Sequence, residues 1–105
     1  MGRAGRRVTH RIHLRGFWDV SEPEPGRVRF ARRFGKPTSS PEQKLSLVVE
    51  SKQSVLRVQI TGELLVSDLS SGRFSILNLQ SRNLATIELV GDAATLPPDV
   101  AIEIE

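Results

Sequence analysis

The stretch Ser54–Val66, SVLRVQITGELLV, limits what this chain can fold into more than any other. Leu56, Val58 and Ile60 alternate with Arg57, Gln59 and Thr61. A period of two puts apolar and polar side chains on opposite faces of an extended backbone, as a strand with one buried face requires. Thr61-Gly62-Glu63 then breaks the run, and Gly62 can take the positive φ that a short hairpin loop needs. The stretch predicts a strand, a tight turn and a return strand, with Leu56, Val58 and Ile60 facing a core.

The rest of the chain supplies partners for this hairpin. Val8–Arg15, VTHRIHLR, alternates, with Val8, His10, Ile12 and Leu14 on one face. Gly16–Gly26 contains Pro23, Pro25 and two glycines and reads as a loop. Arg27–Phe34, RVRFARRF, is a second strand with Val28, Phe30, Arg32 and Phe34 inward. Gly35–Gln43 is a loop broken by Pro37 and Pro41. Leu45–Glu50 is a strand with Leu45, Leu47 and Val49 inward. Ser67–Gly72 is a polar connector. Arg73–Leu79 is a strand with Phe74 and Ile76 on one side. A turn at Gln80–Asn83 leads to the strand Leu84–Val90, with Ala85, Ile87 and Leu89 inward. A loop at Gly91–Asp99 precedes a last strand, Val100–Glu105.

No stretch has trustworthy helical periodicity, and Val, Ile, Thr and Phe crowd the apolar runs, as strands favour. Seven or eight short strands, with turn signals near every ten residues, predict an all-β antiparallel sandwich. Residues 8–105 are expected to form one domain, and Met1–Arg7, short and rich in Gly and Arg, a flexible basic arm.

Cysteine is absent from the 105 residues, so disulfides and thiolate metal sites are excluded. No apolar run reaches the roughly 18 residues a membrane helix needs, and the basic N-terminus lacks the apolar core of a signal peptide. A cytoplasmic, non-membrane protein is the expectation. The net charge of +3 is unevenly spread. Residues 1–36 carry nine Arg and one Lys against three acids, a balance of +7. Residues 37–105 carry five basic residues against nine acidic ones, a balance of −4. Arg alternates with apolar residues, which favours solvated strand faces over a polyanion site.

Three motifs then occur in order. The first is Phe30–Phe34, FARRF; the second Ile60–Leu64, ITGEL; the third Arg82–Ile87, RNLATI. Across residues 17–90 this order resembles the sugar-binding domain on the N-terminal side of β-galactosidase and β-glucuronidase type glycoside hydrolases. The resemblance implies a jelly-roll sandwich of the galactose-binding-like class. Two features depart from it. Thr61 stands where that family usually has Asn, and the connector after the hairpin is short. The catalytic carboxylates of those enzymes belong to a separate barrel domain, for which 105 residues leave no room. The fold therefore transfers and the hydrolytic activity does not. A non-catalytic binding module follows, possible ligands being a carbohydrate or another protein, with no cofactor. The competing reading is a structural or protein-interaction sandwich without sugar binding.

The candidate ligand-binding residues are His13, Arg15, Trp18, Asp19 and Arg32. Trp18 can stack on a sugar ring, but the favoured reading is a core or edge-packing residue at the end of the first strand, and five aromatic residues are few for a stacking platform. Arg32 falls on an apolar face, where a guanidinium needs a partner such as Asp19 or Glu88 unless it points into a ligand cleft. His10 and His13 lack the third ligand that zinc requires, and no metal is expected. Asp92 or Asp99 could serve a structural calcium, though no spacing marks such a site. Glu103 and Glu105 read as solvent-facing groups on an exposed terminal strand. Arg11, His13 and Arg15, with Arg27, Arg29 and Arg33, would line one basic face if their strands were neighbours. Exposed aromatics that would mark a single-stranded nucleic-acid platform are missing there, so nucleic-acid binding through the Arg-rich first third is the weakest reading.

Overall fold

A computed structural model describes residues 10–38, 42–65, 72–76, 78–92 and 94–105. The expected arm at 1–7, the apolar residue Val8 and most of the connector at 67–71 lie outside them. Nine strands follow in order: β1 His10–His13, β2 Asp19–Glu24, β3 Arg27–Gly35, β4 Leu45–Glu50, β5 Val55–Ile60, β6 Glu63–Leu64, β7 Arg73–Ile76, β8 Arg82–Val90 and β9 Asp99–Ile104. They form two sheets, ordered β1-β9-β4-β7 and β2-β3-β8-β5-β6, with every pair antiparallel. The protein is an all-β antiparallel sandwich. Among the described residues no helix is long and apolar enough to cross a membrane.

The alternation read from the sequence builds the core. Val28, Phe30 and Phe34 of β3 and Ala85, Ile87 and Leu89 of β8 face inward. Leu47 and Val49 of β4, Phe74 and Ile76 of β7, and Val100, Ile102 and Ile104 of β9 meet them from the other sheet. Phe30, Phe74, Leu47 and Ile87 are fully buried. Each such side chain contributes roughly 1.5–3 kcal/mol by leaving water.

The central hairpin forms as expected, with one change. Thr61 and Gly62 make a two-residue loop with φ of 51° and 83°, the sign that a hairpin turn with right-handed twist requires. A register shift between Val55 and Arg57 rotates Leu56 away from the core, and it is 39% exposed. Val55 packs inward instead. An extra residue in one strand reverses the faces on one side of it, and the alternation alone hides that.

The segment expected as a loop holds the ninth strand. Asp19–Glu24 pairs with β3 although it contains Pro23. Proline is tolerated because β2 is an edge strand, where one row of amides needs no partner. Pro25-Gly26 turns the chain, Gly26 taking φ of 83°. The last strand is also placed differently. β9 lies between β1 and β4, so Glu103 is not on an exposed edge and is 4% exposed. The two basic strands are not neighbours: β1 and β3 belong to different sheets, and their cationic residues do not form one face.

Candidate ligand-binding sites

β1 ends at His13, and the Leu14 amide donates to the Val100 carbonyl at 2.8 Å, which pins the buried Leu14 side chain under the sheet. His13 and Arg15 flank it. Together with Arg11, Glu50 and Asp99 they line a recess of about 290 Å³ floored by Val48, Val100 and Ala101. Glu50 and Asp99 are direct cross-strand partners on β4 and β9. Like charges placed opposite one another are unfavourable in a sheet, and here two exposed carboxylates face the basic wall of the recess. Two of the five expected ligand residues, His13 and Arg15, are therefore together.

The other three go elsewhere. Gly16 turns the chain with φ of 102°, Phe17 projects into solvent at 98% exposure, and Trp18 is half-buried and packs against the core. Asp19 opens β2 opposite Ala31, on the other sheet. Arg32 pairs with neither Asp19 nor Glu88. Its Nη1 donates to the Arg33 carbonyl at 3.2 Å, and a β-carbon on Gly16 would stand 3.9 Å from its Nη2. The register explains this. β2 begins opposite Ala31, so at Arg32 the strand β3 is itself the sheet edge, and no residue of β2 stands beside it.

Glu88 and Glu103 point outward, one from each sheet, and collect the arginines. Glu88, 2% exposed, accepts from Arg29 Nε at 3.1 Å and has Arg27 Nη1 at 3.5 Å. Glu103 is held by Arg11 and by Arg73, the latter at 2.5 Å. The Arg73 hydrogen bond holds the Glu103 carboxyl below the usual range, against the upward push of burial, and Arg11 adds to it. These pairs neutralise much of the charge that the sequence placed on the strand faces.

A second recess, of about 650 Å³, lies just beyond the end of β5, where β3 finishes and β8 starts. Arg33, Phe34, Thr61, Arg82, Asn83 and Leu84 line it. All three motifs of the sequence thus converge on one place. Sequence reading named the motifs and not the recess, because their meeting depends on which strands pair. A third recess, near 510 Å³, adjoins the first through Glu50 and Asp99 and is lined by Asp92 and residues 94–98. Asp92 there is occupied in shaping its own turn, its Oδ1 accepting from the Ala94 amide at 2.9 Å. Among the described residues no three His, Cys, Asp or Glu side chains are grouped closely enough to hold a metal ion.

Comparison with known proteins adds no family: no family model, no curated protein and no solved structure matches the chain.

Proposed function

We propose that the chain is a non-catalytic binding module on a jelly-roll sandwich, with a carbohydrate as its ligand, similar in kind to the sugar-binding domain of β-galactosidase and β-glucuronidase type hydrolases. The observation that carries this reading is the strand pairing. With the edge strand β2 set aside, the eight others pair first with last (β1 with β9), second with seventh (β3 with β8), third with sixth (β4 with β7) and fourth with fifth (β5 with β6). A long hairpin rolled around itself pairs in this way, and β4–β9 and β5–β8 contacts close the roll. Fold alone names no ligand. The sugar is supported by the three motifs and by recesses that mix hydroxyl, amide and charged groups with apolar floors.

The test follows the single Trp18, which neighbours the segment that carries His13 and Arg15. Titration of a panel of oligosaccharides, read by Trp18 emission and by calorimetry, should give a saturable signal for one sugar class. Where the first recess holds the sugar, that signal is lost in His13→Ala and Arg15→Ala; where the second does, it survives both. A folded protein that answers no sugar in either measurement ends the carbohydrate reading, and reproducible glycosidase turnover ends the non-catalytic one.

One observation favours the second reading, a protein-interaction sandwich. Phe17 is almost fully exposed beside the edge strand β2, where Val20 is also exposed. A partner held there would be lost in Phe17→Ala while sugar binding stayed. Nucleic-acid binding is the weakest proposal, and would reveal itself by a steep loss of retention with salt.

A further inference from the structure

The second recess differs from the others in charge. Its lining holds two guanidinium groups, Arg33 and Arg82, and no carboxylate, whereas the first and third both include Glu50 and Asp99. Four other arginines have carboxylate partners, Arg27 and Arg29 at Glu88 and Arg11 and Arg73 at Glu103. Among the described residues neither Arg33 nor Arg82 has an acidic group within ion-pair reach. The two stand on neighbouring strands, Arg33 opposite Leu84 and Arg82 opposite Gly35. Gly35 brings no side chain beside Arg82, which leaves space between the cations.

The facing wall is rigid. Thr61 is a β-branched residue with φ of 51°, a conformation that such residues rarely adopt. Its amide donates to the Leu84 carbonyl at 2.7 Å, and its hydroxyl donates to Asn83 Oδ1 at 3.4 Å and accepts from the Leu84 amide at 3.3 Å. Asn83 is buried and closes on Gln80, its Nδ2 donating to the carbonyl at 2.8 Å and its Oδ1 accepting from the amide at 3.0 Å. Strained backbone persists where its surroundings over-determine it, and such places concentrate at ligand sites.

We propose that this recess binds an acidic saccharide, a sugar carrying a carboxylate or a sulfate ester, with Arg33 and Arg82 gripping the oxyanion. Guanidinium forks match the oxygens of such groups with paired, charge-assisted hydrogen bonds. Leu84, partly exposed, offers apolar surface to the sugar ring, and Ser81 a hydroxyl. The saccharide class rests on the carbohydrate reading above; the preference for an anion rests on this recess alone.

Backbone amide shifts of the full chain, followed at Gly35, Thr61, Gly62 and Leu84, test it against four probes: oligogalacturonate, a sulfated galactan fragment, a neutral galactan fragment of the same length, and a hexaglutamate peptide. At least one acidic sugar should shift these amides saturably, and the two acidic probes separate carboxylate from sulfate. The neutral sugar should bind about tenfold more weakly or worse, and the peptide should leave the amides unmoved. Arg33→Gln and Arg82→Gln alter exposed side chains, so the fold should survive. Each should weaken the acidic sugar about tenfold. Variants that bind as the parent does, or a peptide that shifts the same amides as strongly, overturn the proposal. Shifts confined to His13, Arg15 and Asp99 overturn it while the carbohydrate reading stands. No shift from any sugar overturns both.

Discussion

Glu103 decides more at the residue scale than its place in the sequence suggests. In VAIEIE it alternates with isoleucines and looks solvent-facing. In the fold it is nearly covered, with Arg11 on the next strand and Arg73 reaching it from across β4. Its carboxyl is held below the ordinary range, so the ionised form favours the folded state. That stability is fully present above the ordinary carboxylate range and fades as pH falls through the lowered value. Urea midpoints measured down a pH series should therefore drop on the acid side for the parent, and Glu103→Gln should flatten this limb. Replacing both arginines, Arg11→Met with Arg73→Met, leaves a buried carboxylate without compensation. It should cost about 3–5 kcal/mol. Glu103→Gln should cost less, because the two guanidinium groups are partly exposed and can return to water. Equal costs would contradict this account of the pair.

At the scale of elements, β2 is the informative strand. Pro23 within it, with Pro25 and Gly26 just after it, argues for a loop, yet it adds a ninth strand to the sandwich edge. Pro23 has a second effect there. It removes one donor from a row of unpaired amides and so blunts the edge against pairing with another chain. Pro23→Val should leave the fold intact and raise self-association, visible as a concentration-dependent increase in mass by light scattering. A variant that stays as dispersed as the parent at all concentrations would show that Phe17, Val20 and the bulge between Ser21 and Glu24 do not leave this edge open to pairing.

For the whole molecule, the outstanding property is the distance along the chain between paired strands. β1 pairs with β9, so His10 meets Ile104, and β3 pairs with β8. Closing such loops costs entropy before any contact rewards it. Refolding should therefore take milliseconds to seconds, as for other sandwiches dominated by non-local pairing. Stopped-flow fluorescence of Trp18, which packs against the core, would follow it. Refolding complete within microseconds would mean that local hairpins carry more of the stability than the topology implies.

The sequence by itself determined the class of the protein and most of its strands. Period-two alternation on β3, β4, β5, β7, β8 and β9 is enforced by the pleat, because each strand must present one apolar row to a shared core. It also yielded the hairpin turn, since Gly62 is a local requirement. What it left open was which strand lies beside which. Pairing order is a tertiary property, and it placed β9 in the middle of a sheet, buried Glu103, separated the two basic strands and kept Arg32 from both of its expected acids. It also brought Arg33, Thr61 and Arg82 to one recess, and set His13 and Arg15 against Glu50 and Asp99. Alternation tells a side chain which face it is on; only the packing of strands tells it what stands on the same face.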